Sequence, residues 1–164
     1  MTTSLAWRAA ALAPIARAVS SVAIHCTATR QGRPVTLAEL TAWHRARGFA
    51  GIGYHFVVHL DGAIEVGRDK ATAGAHVQGH NARSIGVVYV GGLDNAGRPR
   101  DTRTPAQRAA LRDLLRALKT AHPRTIVQGH REYSPDLDGD GVVEPHEWLK
   151  ACPCFDARAE YAGL

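Results

Sequence analysis

One apolar run, Ser84–Val90, restricts the possible folds more than any other stretch of this sequence. It reads SIGVVYV, and two glycines, Gly91 and Gly92, end it. A short, nearly continuous apolar run that ends at glycines is typical of a central β-strand buried on both faces. A sheet with such a strand needs helices against it, so the run predicts a sheet covered by helices.

Two helices are predicted from their start signals. Thr36 and Glu39 have capping-box spacing, which indicates a helix start. Gly48 can adopt the left-handed conformation that commonly ends a helix, so the first helix is expected over Leu37–Arg47. The second helix opens at Thr104-Pro105-Ala106-Gln107, with proline at its first position. Its buried stripe consists of four leucines, Leu111, Leu114, Leu115 and Leu118.

The remaining strands come from apolar and alternating runs. Tyr54–Leu60 and Ala63–Gly67 flank Asp61-Gly62, a preferred pair for a tight hairpin turn. Ser20–Cys26 is an apolar strand early in the chain, and Thr125–Gln128 is a short one late in it. The resulting order, β-α-β-β-β-α-β, predicts an α/β fold in which a central mixed β-sheet is flanked by helices.

Length and composition are those of a single globular domain. The chain has 164 residues, of which 45% are hydrophobic and 21% charged. We expect one domain over residues 20–164, preceded by an N-terminal extension at residues 1–19 that is a short helix or loosely held. The Ala-rich segment Leu5–Val19 is interrupted by arginines and a proline, so we expect no signal peptide. We therefore expect the chain to be made in the cytoplasm and not to insert into a membrane.

The charge of the chain limits its partners. A net charge of +5 favours polyanions, such as nucleic acid, an anionic membrane or an anionic cell wall. The sequence contains no lysine- and arginine-rich block and no basic patch interleaved with aromatic residues, so we expect no nucleic-acid partner.

A group of metal-ligand residue types lies near the end of the chain. His130, Lys150, Cys152 and Cys154 follow one another there, and imidazole and thiolate are preferred zinc ligands. His25 is the best candidate for a further ligand, because it lies near the end of an apolar strand, where a sheet delivers side chains to a site. Three protein ligands and a water are typical of catalytic zinc. The spacing alone leaves Cys152 and Cys154 as alternatives for the sulfur ligand.

Several separated blocks together resemble a known family, the type 2 N-acetylmuramoyl-L-alanine amidases, and especially the zinc amidase lysozymes of bacteriophages. The resemblance covers roughly residues 20–158, and the fold is shared with peptidoglycan-recognition proteins. The blocks occur in the same order as in the family. They are His25-Cys26-Thr27-Ala28-Thr29, Gly53-Tyr54-His55-Phe56, Asn81-Ala82-Arg83-Ser84-Ile85-Gly86-Val87, Thr104-Pro105-Ala106-Gln107, Gly129-His130-Arg131-Glu132 and Lys150-Ala151-Cys152-Pro153.

The resemblance implies roles for individual residues. It places the zinc ligands on His25, His130 and Cys152. It also implies that Tyr54 and Lys150 are catalytic. A cation beside the metal suits the oxyanion that forms when water attacks an amide carbonyl. Tyr54 would orient the water or help to transfer its proton.

The resemblance also implies the substrate and the reaction. The expected activity is zinc-dependent hydrolysis of the amide between the lactyl group of N-acetylmuramic acid and L-alanine of the stem peptide. His76 and Asn81 fall where the family lines its substrate groove. The expected protein is a monomeric, bacteriolytic endolysin that acts on peptidoglycan after release from the cytoplasm. The alternatives are a non-catalytic peptidoglycan-binding module of the same fold and a zinc-stabilised structural or DNA-binding protein.

An acidic loop, residues 136–147, separates His130 from Lys150 and departs from the short phage enzymes. It has the twelve-residue spacing of an EF-hand calcium loop, with glycine at its sixth position. The alternative is a solvated acidic turn. The predicted ligands are four carboxylates and one backbone carbonyl, from Asp136, Asp138, Asp140, Glu147 and Val142. The other histidines considered, at positions 44, 59, 80, 122 and 146, are expected to play no part in a site.

Overall fold

A five-stranded sheet lies at the centre of residues 4–164, the part of the chain that the computed structural model describes. The strand order in this sheet is the fourth, third, fifth, first and seventh strand of the chain. In chain order, the elements are α1 (Ser4–Leu12), β1 (Ser21–Cys26), β2 (Thr29–Arg30), α2 (Leu37–Ala46), β3 (Phe56–Val58), β4 (Ile64–Val66), β5 (Ser84–Tyr89), β6 (Gly92–Leu93), α3 (Pro105–Ala121), β7 (Ile126–Gly129) and α4 (Ala157–Glu160).

The sheet is mixed, as predicted. Strand β5 pairs in parallel with β1 on one side and with β3 on the other. Strand β7 extends the sheet in parallel beyond β1, and β4 pairs with β3 in the antiparallel sense. The prediction of one α/β domain with a central mixed sheet between helices is confirmed.

The apolar run 84–90 is covered on both faces. Ile85, Val87 and Tyr89 belong to the larger core, which the leucines of α3 complete. Val88 and Val90 belong to a second core on the opposite face, together with Leu40 of α2 and its neighbours. Burial of both faces explains why this strand lacks polar alternation.

Both long helices begin with the predicted capping box. The Thr36 hydroxyl oxygen accepts the Glu39 N–H at 3.1 Å, and the Glu39 carboxylate accepts the Thr36 N–H at 2.9 Å. Thr104 and Gln107 make the same reciprocal pair, with both distances at 3.0 Å. These pairs satisfy backbone donors that have no partner within the helix.

Two features differ from the sequence-based expectation. The hairpin strands β3 and β4 have three residues each, so they are shorter than the predicted runs Tyr54–Leu60 and Ala63–Gly67. Strands β2 and β6 form a separate two-stranded sheet that was not predicted. Strands of two residues are too short to carry a periodic pattern, and their pairing depends on contacts that are distant in sequence.

The N-terminal segment is folded against the rest of the domain from Ser4 onwards. Helix α1 contacts α3 and β4, and Trp7 and Ala11 are buried in the larger core. Of the two alternatives expected for this segment, the structure contains the helix. The division of the chain at residue 19 stays a prediction. No helix within residues 4–164 is long and apolar enough to cross a membrane.

A buried lysine holds the end of helix α1. The Lys70 ammonium donates hydrogen bonds to the carbonyls of Ala11 at 2.6 Å and Ala13 at 2.7 Å, and Lys70 is only 4% exposed. A cation at this position also interacts favourably with the partial negative charge at a helix C-terminus. Arg17 Nε donates to the Lys70 carbonyl at 2.8 Å, which closes the segment onto the domain.

We predict that Lys70→Met lowers the free energy of unfolding by about 1–3 kcal/mol, because a methionine leaves two carbonyls without their donor. Urea unfolding measures this loss. Lys119→Met is the matched control, since the Lys119 ammonium also donates to two carbonyls, Pro123 and Thr125, but from a more exposed position. An equal loss in both variants would show that the burial of Lys70 adds nothing.

Candidate active site

Strand register brings two histidines together at one end of the sheet. Strands β1 and β7 are parallel neighbours, and Ile24 lies opposite Gly129. The next residue on each strand is a histidine, so His25 and His130 lie side by side, with ring centroids 4.8 Å apart. His25 is 1% exposed and His130 is half-buried.

A cysteine from the C-terminal segment joins these histidines. The Arg131 N–H donates to the Cys152 carbonyl at 2.8 Å, and the Cys26 N–H donates to Cys152 Sγ at 3.3 Å. Gly129 permits this close approach, because a Cβ at that position would collide with the ring of Pro153. The segment that carries Cys152 is therefore packed directly on the ends of β1 and β7.

The three side chains form a group that fits a metal ion. One ligand atom from each of His25, His130 and Cys152 lies within 4.8 Å of the other two, and His25 Nδ1 is 3.9 Å from Cys152 Sγ. Burial lowers the pKa of His25 and, together with the charge of Lys150, lowers that of His130 to about 4. Both rings are then neutral near pH 7, as metal binding requires. Two imidazoles and a thiol are a donor set that zinc prefers.

The other two cysteines contact each other instead. Cys26 Sγ lies 3.8 Å from Cys154 Sγ, on the opposite side of β1 from the histidines, and all three cysteines are free thiols. The spacing in the sequence leaves Cys152 and Cys154 as alternatives for the ligand. The structure groups Cys152, and not Cys154, with the histidines.

The ligand group lies in a groove with a volume of about 650 Å³. Tyr54 lines this groove, with its ring centroid 5.1 Å from that of His25, and burial raises its pKa. Lys150 also lines the groove from an exposed position. Both residues that the resemblance marks as catalytic therefore face the same space as the three ligand side chains.

His44 also lines the groove, a position that the sequence does not indicate. It lies on the buried side of α2, its Nδ1 accepts the Gly53 N–H at 2.7 Å, and its ring centroid is 5.0 Å from that of Tyr54. Its helical spacing matches that of a core residue, and its contact with Tyr54, in the segment just before β3, is not visible in local sequence.

His76 and Asn81, the two predicted substrate contacts, line the groove, and each has a side-chain atom close to another residue of the protein. Asn81 Oδ1 accepts the backbone N–H of His76 at 2.8 Å and of Val77 at 2.9 Å. His76 Nδ1 lies 3.0 Å from Nε2 of His25. Contact of either residue with substrate stays a prediction.

The acidic loop brings some of the predicted calcium ligands together. Carboxylate oxygens of Asp136, Asp138 and Glu147 lie within 4.8 Å of one another, and Asp140 is outside that group. The Asp136 carboxylate accepts the N–H groups of both loop glycines, Gly139 at 2.7 Å and Gly141 at 2.8 Å. Glu147 is 3% exposed.

A stacking contact links this loop to the ligand group. The Arg131 guanidinium lies over the Trp148 ring, 4.0 Å from its centroid, and the backbone of Arg131 binds Cys152. Trp148 Nε1–H in turn donates to the Val143 carbonyl inside the loop, at 3.2 Å. Arg131 therefore contacts both the segment that carries Cys152 and, through Trp148, the acidic loop.

Comparison with known proteins points to one family. A sequence model of Amidase_2, described as N-acetylmuramoyl-L-alanine amidase, matches residues 15–153. The endolysin of Klebsiella phage KP32 is 38% identical over 139 residues, which cover 85% of this chain and 83% of that protein. The endolysin of Escherichia phage T7 is 36% identical over 138 residues, which cover 84% and 82%, respectively.

Solved structures agree with this assignment. The N-acetylmuramoyl-L-alanine amidase endolysin LysCS from Clostridium intestinale has a TM-score of 0.67 at 25% identity, covering 92% of this chain and 86% of that chain. Wild-type Drosophila PGRP-LB has a TM-score of 0.66 at 23% identity, covering 92% and 84%, and shows the shared fold.

Proposed function

The chain belongs to the N-acetylmuramoyl-L-alanine amidase family, and we propose that it works with a zinc ion held by His25, His130 and Cys152. It is a peptidoglycan amidase of the phage endolysin type, a hydrolase that acts on the cell wall. The bond it cuts joins the lactyl group of N-acetylmuramic acid to L-alanine of the stem peptide. The observation that carries the zinc proposal is the convergence of three ligand atoms inside a groove.

The groove residues divide the chemistry among them. Zinc bound to these three ligands would lower the pKa of a water molecule towards neutrality and polarise the amide carbonyl. Lys150 brings an ammonium group that can donate to the oxyanion as it forms. Tyr54 brings a hydroxyl beside His25 that can hydrogen-bond to the attacking water. His44 holds Tyr54 in place by packing its tilted ring against the tyrosine ring and by accepting the N–H of Gly53.

A non-catalytic wall-binding module of the same fold explains these features less well. Such a module has no need of a complete set of three metal ligands with a lysine at the edge of the same groove. The groove here contains all four side chains.

We further propose that the acidic loop 136–147 binds calcium. The support is the twelve-residue spacing and the grouping of three carboxylates, from Asp136, Asp138 and Glu147. Desolvation and then repulsion from Asp140 raise the pKa of the Glu144 carboxyl in the same loop. Calcium would relieve this repulsion and order the loop. The Arg131–Trp148 contact would transmit that order to the segment that carries Cys152.

The zinc proposal predicts that substitutions in the groove fall into two classes. Cys152→Ser should lose both zinc and activity, because a hydroxyl is a poor substitute for a thiolate ligand. Lys150→Ala and Tyr54→Phe should keep one zinc per chain but lose turnover, by roughly 100- to 1,000-fold where an oxyanion donor is removed. Metal analysis measures the zinc content, and the fall in turbidity of a suspension of purified cell walls measures the turnover.

Cys154→Ser is the matched control for the ligand, since Cys154 lies two residues from Cys152 and outside the histidine group. It should retain zinc and activity. The assignment is wrong if Cys154→Ser loses zinc and Cys152→Ser keeps it. Near-normal turnover in both Lys150→Ala and Tyr54→Phe would remove these residues from the mechanism.

The calcium proposal predicts that millimolar calcium raises the melting temperature. Calcium at ten times its dissociation constant stabilises the folded state by about 1.4 kcal/mol, or about 3–6 °C for a domain of this size. Asp138→Ala combined with Asp140→Ala should abolish the rise, because alanine removes both oxygen ligands. Asp113→Ala is the control, since Asp113 is an exposed aspartate on α3, and it should leave the rise intact. Calorimetry that detects no calcium binding at millimolar concentration would refute this proposal without affecting the zinc site.

A further inference from the structure

The ring of His76 occupies a space that the protein keeps open with two glycines. A Cβ at Gly74 or at Gly86 would collide with the imidazole of His76. Gly86 belongs to the central strand β5, and its N–H donates to His55 Nδ1 at 2.8 Å. The His55 ring in turn lies edge-on to the His76 ring, with centroids 5.7 Å apart. The position of the His76 ring is therefore defined by the sheet and not by a loop alone.

One nitrogen of His76 contacts a zinc ligand. His76 Nδ1 is 3.0 Å from His25 Nε2, while the other nitrogen of His25, Nδ1, faces Cys152 Sγ at 3.9 Å. A nitrogen that binds a metal carries no proton. A neutral His25 that binds metal through Nδ1 must therefore carry its proton on Nε2 and donate it to His76 Nδ1.

The other nitrogen of His76, Nε2, does not reach solvent. His76 Nε2 is buried, and no residue in the range 4–164 hydrogen-bonds to it. An unpartnered buried N–H is costly, so its retention calls for an explanation. The hydrogen bond at Nδ1 explains it. A neutral His76 ring that accepts a hydrogen bond at Nδ1 must carry its own proton on Nε2.

We propose that His76 is a positioning residue that accepts a hydrogen bond from His25 and thereby sets the tautomer and ring orientation of this zinc ligand. The inference rests on the proposed zinc site and assigns His76 a role other than substrate contact. Asn81 supports the arrangement, because its side-chain oxygen accepts the His76 N–H and anchors the backbone beneath the ring.

Two variants of nearly identical shape test the hydrogen bond itself. His76→Asn retains an acceptor close to the position of Nδ1, whereas His76→Leu has the same branched shape and no acceptor. Loss of such a partner typically weakens metal binding by about 10- to 100-fold. We expect His76→Leu to show this weakening, and His76→Asn to restore most of the affinity.

The readout is the zinc dissociation constant of the full chain, measured by competition with a chromophoric chelator, together with the visible spectrum of the cobalt-loaded protein. The cobalt bands should shift in His76→Leu and return towards the wild-type positions in His76→Asn. His80→Leu is the control, since His80 is an exposed histidine of the same loop. It should leave the dissociation constant unchanged. If His76→Leu does not fold, His76→Ala takes its place with the same expected weakening.

Two outcomes would overturn this role for His76. One is a wild-type dissociation constant in His76→Leu, and the other is equal weakening in His76→Leu and His76→Asn, which would indicate packing alone. Failure of the wild-type chain to bind zinc at all would instead refute the proposed zinc site. The wild-type titration therefore separates the two failures.

Discussion

The parallel pairing of β1 with β7 is the constraint on which the site depends. Its register sets Ile24 opposite Gly129. The next residue after each of these is a histidine, so the rings of His25 and His130 lie side by side. A shift of one residue would turn one histidine to the opposite face of the sheet. The neighbouring pair of β1 with β5 sets His25 opposite Val88, on the face that α2 covers. The groove and the metal group are thus consequences of strand register.

Cys152, the third member of the proposed ligand group, lies on a segment that is also held from the other face of the sheet. The Tyr89 hydroxyl donates to the Pro153 carbonyl at 2.6 Å. Phe155 lies under the Arg103 guanidinium, whose carbon is 3.2 Å from the ring centroid. Arg103 is fully buried and forms ion pairs with Asp101 and Glu160, so it ties α4 to the start of α3. The segment that carries Cys152 is therefore positioned by Tyr89 and Arg103, which are distant from it in sequence.

Much of the fold could be predicted because its signals are local. Capping boxes at Thr36 and Thr104 begin the two long helices, and an apolar run gives the central strand. The residue types of the ligand group are also visible in the sequence. Three other features cannot be predicted from local sequence, because each depends on residues that only the folded chain brings together. They are the choice between Cys152 and Cys154, the contact of His44 with Tyr54, and the short strands β2 and β6.

The central claim concerns one bond in peptidoglycan, and mass spectrometry of the soluble products of a wall digest tests it most directly. Hydrolysis at the proposed amide should release stem peptides with a free L-alanine amino group and leave glycan strands whose lactyl carboxyl groups are free. Adding a chelator should suppress both products, and zinc should restore them. New reducing sugar ends, or stem peptides cut internally while the lactyl amide stays intact, would contradict the assignment.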